Sequence, residues 1–184
     1  MKKLITIFAA VAIALSSTCL TVFAEPPIGS CSVTRYSQEK SNWCWAACSK
    51  MIGHFHGHNK TQSQIVVHVK NANVNEAATD SEVVKAIKYA CGSSYTVTDR
   101  HGTIPYEYIQ NYITRGLPFV IKINWAGGGA HVEVLSAYDA SRKVTLIDPW
   151  SNRENRKYLY RDLINGTYLF GSKGTYVNTF TVLD

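Results

Sequence analysis

The sequence predicts an α+β protein, with helices gathered in its first half and antiparallel strands in its second. Three observations carry that expectation. Capping patterns and apolar residues at helical spacing recur up to Arg115. From Phe119 onward the apolar residues fall in short β-branched runs between turn signals. Helices first and strands second point to segregated α+β layers, not to alternating βαβ units. A chain of 184 residues suffices for one domain, or for two lobes around one cleft.

Residues 1–24 read as a signal peptide outside the fold. Lys2 and Lys3 precede the apolar run Leu4 to Leu15, and Val22-Phe23-Ala24 offers small residues at a cleavage site. The run is shorter than the roughly 20 residues a membrane span needs, so cleavage and export are expected, with no stable membrane insertion afterwards. The mature chain is then a single domain of residues 25–184, secreted to the periplasm or the medium. Losing Lys2 and Lys3 leaves 17 basic against 13 acidic residues, a charge of +4 with histidines neutral. These charges are scattered, and a nucleic-acid surface needs a concentrated basic patch, so no nucleic-acid partner is expected.

The elements follow in order. Cys44 to Phe55 is an apolar, helix-compatible run with Gly57 as its stop. Thr61-Gln62-Ser63-Gln64 is a capping-box pattern leading into Ile65 to Val69, and Thr79-Asp80-Ser81-Glu82 is a second one. The latter opens a helix with Val83, Val84, Ile87 and Ala90 on one face and Gly92 as its stop. A further helix is expected from Pro105 to Arg115. Strands are expected at Phe119 to Trp125, His131 to Tyr138, Lys143 to Asp148 and Tyr176 to Leu183. Gly127-Gly128-Gly129 and Asp139 to Arg142 read as the hairpin loops between them.

The chemistry-bearing residues sit at the element ends. Cys44 stands where a loop meets a helix, and the unpaired N–H groups and dipole there favour a thiolate, the nucleophilic form. Six residues upstream, the Gln38 amide can donate to a developing oxyanion beside the Cys44 N–H. His131 opens a strand just after the glycine loop, as a general base would need. Asp148 ends the next strand, across a hairpin, where it can orient the ring. Glu133 shares the strand face of His131 and is the alternative orienting residue. Taken singly, each residue has a plainer reading: a surface histidine, an Asp-Pro turn, a bridging cysteine. His54 and His58 are four apart, but no Glu or Cys joins them at ligand spacing, so neither a metal nor a cofactor is expected.

The order Gln38, Cys44-Trp45-Ala46, His131 and Asp148-Pro149-Trp150 resembles that of papain-like cysteine peptidases. The resemblance spans most of residues 35–150. It implies a helical lobe carrying Cys44, a β lobe carrying His131, and a cleft between them. It also implies an oxyanion hole of Gln38 with the Cys44 N–H, and Trp150 shielding the His131–Asp148 bond. Ser41-Asn42-Trp43 replaces the Cys-Gly-Ser of plant and lysosomal members, and Asp148 replaces asparagine. Both departures are closer to bacterial effector-type and bacteriocin-processing peptidases with a Cys-His-Asp set. The implied activity is hydrolysis of a protein or peptide substrate through a thioester. Two alternatives stay open: an acyltransferase or amidase using the same constellation, and a non-catalytic peptide-binding module. Residues 25–37 leave no room for a large inhibitory propeptide, so control would fall to export, redox state or an inhibitor protein.

Four cysteines follow the signal: Cys31, Cys44, Cys48 and Cys91. With Cys44 as nucleophile, at most one bridge can form among the other three. Cys31–Cys91 and Cys48–Cys91 are both compatible with export.

Overall fold

The computed structural model describes residues 28–150, 155–169 and 171–183. The signal-peptide expectation for residues 1–24 lies outside them. In chain order the elements are β1 (Gly29–Ser30), α1 (Cys44–Phe55), α2 (Gln62–Lys70), α3 (Asp80–Cys91), β2 (Thr96–His101) and α4 (Tyr106–Thr114). The second half holds β3 (Phe119–Trp125), β4 (Ala130–Tyr138), β5 (Lys143–Ile147), β6 (Arg156–Leu159), α5 (Tyr160–Asn165), β7 (Thr167–Leu169) and β8 (Ser172–Leu183). The fold is α+β, as the sequence predicts.

Local chemistry accounts for the helix boundaries. Thr61 and Thr79 each accept from the backbone N–H three residues on, and Gln64 and Glu82 reach back to the threonine N–H. Each reciprocal pair satisfies two donors that a helix start otherwise leaves bare. Pro105 precedes α4 as its N-cap, outside the helix instead of in its first turn. Among the described residues no helix is long and apolar enough to cross a membrane.

The strands form one antiparallel sheet in the order β2-β8-β3-β4-β5-β6, with β1 on β4 and β7 on β8. The helices α1, α2 and α3 cover one core, where Met51, Ile52, Ile65, Ile87 and Val83 meet Val120, Val134 and Phe180 of the sheet. The other face buries Phe119, Ile121, Ile123, Leu135 and Leu146 beneath Ile109 and Ile113 of α4 and Leu163 of α5. Thus β3 and β4 are covered on both sides, and β4 is a fixed platform for whatever its first residues carry. The helices α1 and α3 approach closely at Gly53, where a Cβ would lie 2.6 Å from the Ala90 carbonyl oxygen.

All four described cysteines are free thiols. Neither of the two possible bridges to Cys91 forms. Cys31 and Cys91 lie in different cores, and Cys31 instead directs its thiol to the Ile113 carbonyl at 3.7 Å. Cys48 directs its own to the Val132 carbonyl at 3.3 Å.

Candidate active site

Burial of the residues around it fixes Cys44 in place. Trp43 and Trp45 are almost fully buried, and their indole N–H groups donate to Val74 and Glu76 carbonyls at 2.8 and 3.0 Å. Ala46, Ala47 and Cys48 are also buried, so Cys44 alone in the first turn of α1 keeps access to solvent. No side chain caps this helix start. Its first N–H groups have no intrahelical acceptor and face the cleft around Cys44, together with the positive end of the helix dipole.

The histidine is positioned by strand register. Ile123 pairs with His131 across β3 and β4, and the alternation of β4 puts His131 and Glu133 on one face. Between Leu135 and Ala137 the β4–β5 ladder shifts, so that Val134 faces Ile147. The bulge moves Asp148 into line with Glu133; an unshifted ladder would set it opposite Val134, on the wrong face. As a result the polar atoms of His131, Glu133 and Asp148 lie within 4.8 Å of one another. Asp148 is 1% exposed, and its Oδ1 sits 2.7 Å from His131 Nε2. The other ring nitrogen, Nδ1, is left for the hydrogen bond with the Cys44 thiol. Burial works against a charged ring, but the bonds to Asp148 and Cys44 and the charges of Cys44 and Glu133 outweigh it. They push the His131 pKa up to about 10. The bond that orients the ring is therefore made by Asp148, while Glu133, fully buried, stands behind it as a second carboxyl group.

The loop before α1 is tied to the same strand end. The Gln38 N–H donates to the Pro149 carbonyl at 2.7 Å. Its side-chain Nε2 donates to the carbonyls of Lys40 and Ser41 at 2.9 and 2.8 Å, and its buried Oε1 has no partner. Arg35 Nε donates to the Asp148 carbonyl at 2.9 Å, and its Nη2 reaches the Trp150 carbonyl. The Trp150 N–H donates to Asp148 Oδ1 at 2.8 Å. Two indoles flank the histidine: Trp150 edge-on at 6.4 Å between ring centroids and Trp125 stacked at 6.2 Å. The cleft they border has a volume of about 530 Å³ and runs past Ser41, Cys44, Ala77 and Ala130. Gly127 and Gly128 form its rim at the β3–β4 hairpin tip, where an added Cβ would meet nothing within 4 Å.

The Peptidase_C39 like family matches residues 31–170, the stretch that holds every one of these side chains. The chain belongs to that family. The solved structures of C39-type proteins share its fold. One is described as a C39-like peptidase from Bacillus anthracis, with a TM-score of 0.60 and 12% identity over 86% of this chain and 98% of that one. The peptidase domain of Streptococcus ComA, a bifunctional ABC transporter of a quorum-sensing pathway, gives 0.59 and 14% over 80% and 95%. A double-glycine-motif protease from an AMS/PCAT transporter, solved with its leader peptide, gives 0.52 and 15% over 81% and 94%. Comparison with curated proteins returns no match. At these identities the structures establish the fold, and the family match adds the relationship to papain-like cysteine peptidases. Within this member of the Peptidase_C39 like family, Arg35, Ala77 and Trp125 also border or brace the site without any motif to announce them. Trp125 was within reach of sequence reasoning: it lies two residues past the partner of His131, so it shares that face. Arg35 had no such signal.

Proposed function

We propose that this protein is an exported cysteine peptidase that hydrolyses peptide bonds through a thioester on Cys44. The observation that carries the proposal is the His131 ring, held between the Cys44 thiol and Asp148, whose bonds favour its protonated form against the cost of burial. In the reaction His131 takes the Cys44 proton, which leaves a thiolate beside an imidazolium. Cys44 Sγ attacks the scissile carbonyl, and the oxyanion forms beside the Cys44 N–H at the bare end of α1. Gln38 joins this hole by trading one of its loop-carbonyl bonds for the oxyanion. As the C–N bond breaks, His131 gives its proton to the leaving amine. It then takes a proton from the water that cleaves the thioester, which frees the new carboxylate and Cys44. Asp148 keeps the ring in register throughout, and Trp150 covers their bond from solvent. The reading of the substrate as a peptide is supported by the leader peptide bound to one of the neighbouring structures.

The deciding experiment is labelling of residues 25–184 under mild reductant with E-64 or iodoacetamide, followed by peptide mapping. Modification confined to Cys44 near neutral pH, and slowed by His131→Ala, is the expected result. An inert Cys44 would rule the peptidase reading out.

A further inference from the structure

A second, smaller cavity of about 90 Å³ opens beside the nucleophile. It shares Cys44, Ala77, Ala130 and His131 with the main cleft, and its wall includes Asp80 and Lys122. We propose that this cavity is a side-chain pocket that selects a short, uncharged polar residue, asparagine above all, within two residues of the scissile bond. The proposal rests on the peptidase reading and names part of its substrate.

The chemistry of the wall decides the selection. Lys122 Nζ lies 2.7 Å from Asp80 Oδ1, and the two side chains remain 25% and 27% exposed. Asp80, the first residue of α3, also accepts from Asn178 Nδ2 at 3.3 Å, and Lys122 sits on β3 in the middle of the sheet. Both groups are therefore held in place before a ligand arrives. An ammonium has three N–H donors and the bond to Asp80 uses one, while the carboxylate keeps further acceptor sites. The pair thus presents a donor and an acceptor side by side, and the Asp99 carboxylate, within 4.8 Å of Asp80 and bonded to the same Asn178 amide, adds negative charge behind them. A carboxamide offers the complementary acceptor and donor. A carboxylate would meet Asp80, a cation would meet Lys122, and an apolar side chain would strip water from the pair without replacing its hydrogen bonds. Size narrows the choice further. A volume of about 90 Å³, against about 530 Å³ for the main cleft, favours a small side chain such as that of asparagine, with four non-hydrogen atoms. The rest of the wall is largely apolar, with Trp45, Val83 and Val132 beside Ala77, Ala78 and Ala130, and would contact the methylene of the side chain.

The test profiles kcat/KM over peptides varied at the two positions on either side of the cleaved bond. In parallel, binding of the same peptides to Cys44→Ala is measured, which reads the pocket without turnover. At one position asparagine should exceed leucine, aspartate and lysine by tenfold or more. Asp80→Asn, which leaves Lys122 unpaired, should raise aspartate relative to asparagine at that position at least tenfold. Lys122→Met should lower asparagine relative to alanine. Both variants retain the Thr79–Glu82 capping box that starts α3. Cleavage with no asparagine preference, or with one that neither variant moves, overturns the pocket and leaves the peptidase reading intact. Selective binding without cleavage keeps the pocket and removes the peptidase. Absence of selection in both assays overturns the pocket.

Discussion

Two carboxyl groups flank His131, Glu133 from the same strand and Asp148 from the end of the neighbouring β5, and the 2.7 Å bond to Nε2 is made by Asp148. That assignment has a measurable pH signature. The interactions around His131 raise its pKa from the usual 6.5 to about 10, so they favour the protonated ring in the folded protein. The stabilisation is complete below pH 6.5 and is lost as the pH rises toward 10. Asp148→Asn removes the charge and should pull the alkaline limb of kcat/KM to lower pH. It should also flatten the fall in Tm between those limits and lower kcat/KM by up to about 10⁴-fold, the cost of an Asp-to-Asn change at the orienting position of a serine-protease triad. An unmoved alkaline limb would show that Asp148 does not hold the ring's proton. The sequence allowed both carboxylates, because a two-residue strand repeat makes Glu133 the obvious neighbour. The bulge at Leu135/Ala137 that brings Asp148 round has no residue signature, so only the structure resolves the choice.

At the scale of the elements, α1 links Cys44 to the core, and one close approach of that helix lies at Gly53, against α3. A Cβ at Gly53 would fall 2.6 Å from Ala90 O and 2.9 Å from Ala90 Cβ. Gly53→Ala should therefore cost about 1–3 kcal/mol in denaturant unfolding, even though alanine is the better helix former. A neutral or stabilising effect would mean that α1 and α3 are not packed this closely. The elements also differ in how legible they were. Where a continuous apolar run is bounded by glycine stop signals, as in Cys44–Phe55 and Phe119–Trp125, the observed bounds coincide with the expected ones. The strand β2, Thr-Val-Thr-Asp-Arg-His, was not anticipated: it is an exposed edge strand whose residues need only the β8 ladder, so no apolar alternation marks it. The short α5 and β7 escaped for a related reason, since tertiary packing of Tyr160 and Leu163 holds them more than local propensity.

For the molecule as a whole, two cores on either face of one sheet hold the fold together, with no covalent cross-link among the described residues. Stability should therefore be indifferent to redox conditions. Adding dithiothreitol should leave the Tm of residues 25–184 unchanged. A thiol reagent should find one fast site in the native protein and four after unfolding; fewer than four would reveal a bridge. Cys31, Cys48 and Cys91 are kept from reagent by burial, which also pushes their thiol pKa values upward. The overall division into helical and strand halves was legible, because it follows from a change of period along the chain. The meeting of Cys44 and His131 was inferred only through the resemblance to papain-like peptidases, since it depends on how α1 packs across β4. The glycine tip between β3 and β4 separates the part of the cleft that can vary from the part that cannot. Three consecutive residues there, Gly127 to Gly129, have no neighbour that an added Cβ would meet, yet the next strand begins one residue later and carries His131. The tip is consequently the place to graft a longer loop: an insertion would reshape the cleft rim, and with it the range of acceptable substrates, while the frame that aligns thiol and imidazole stays as it is.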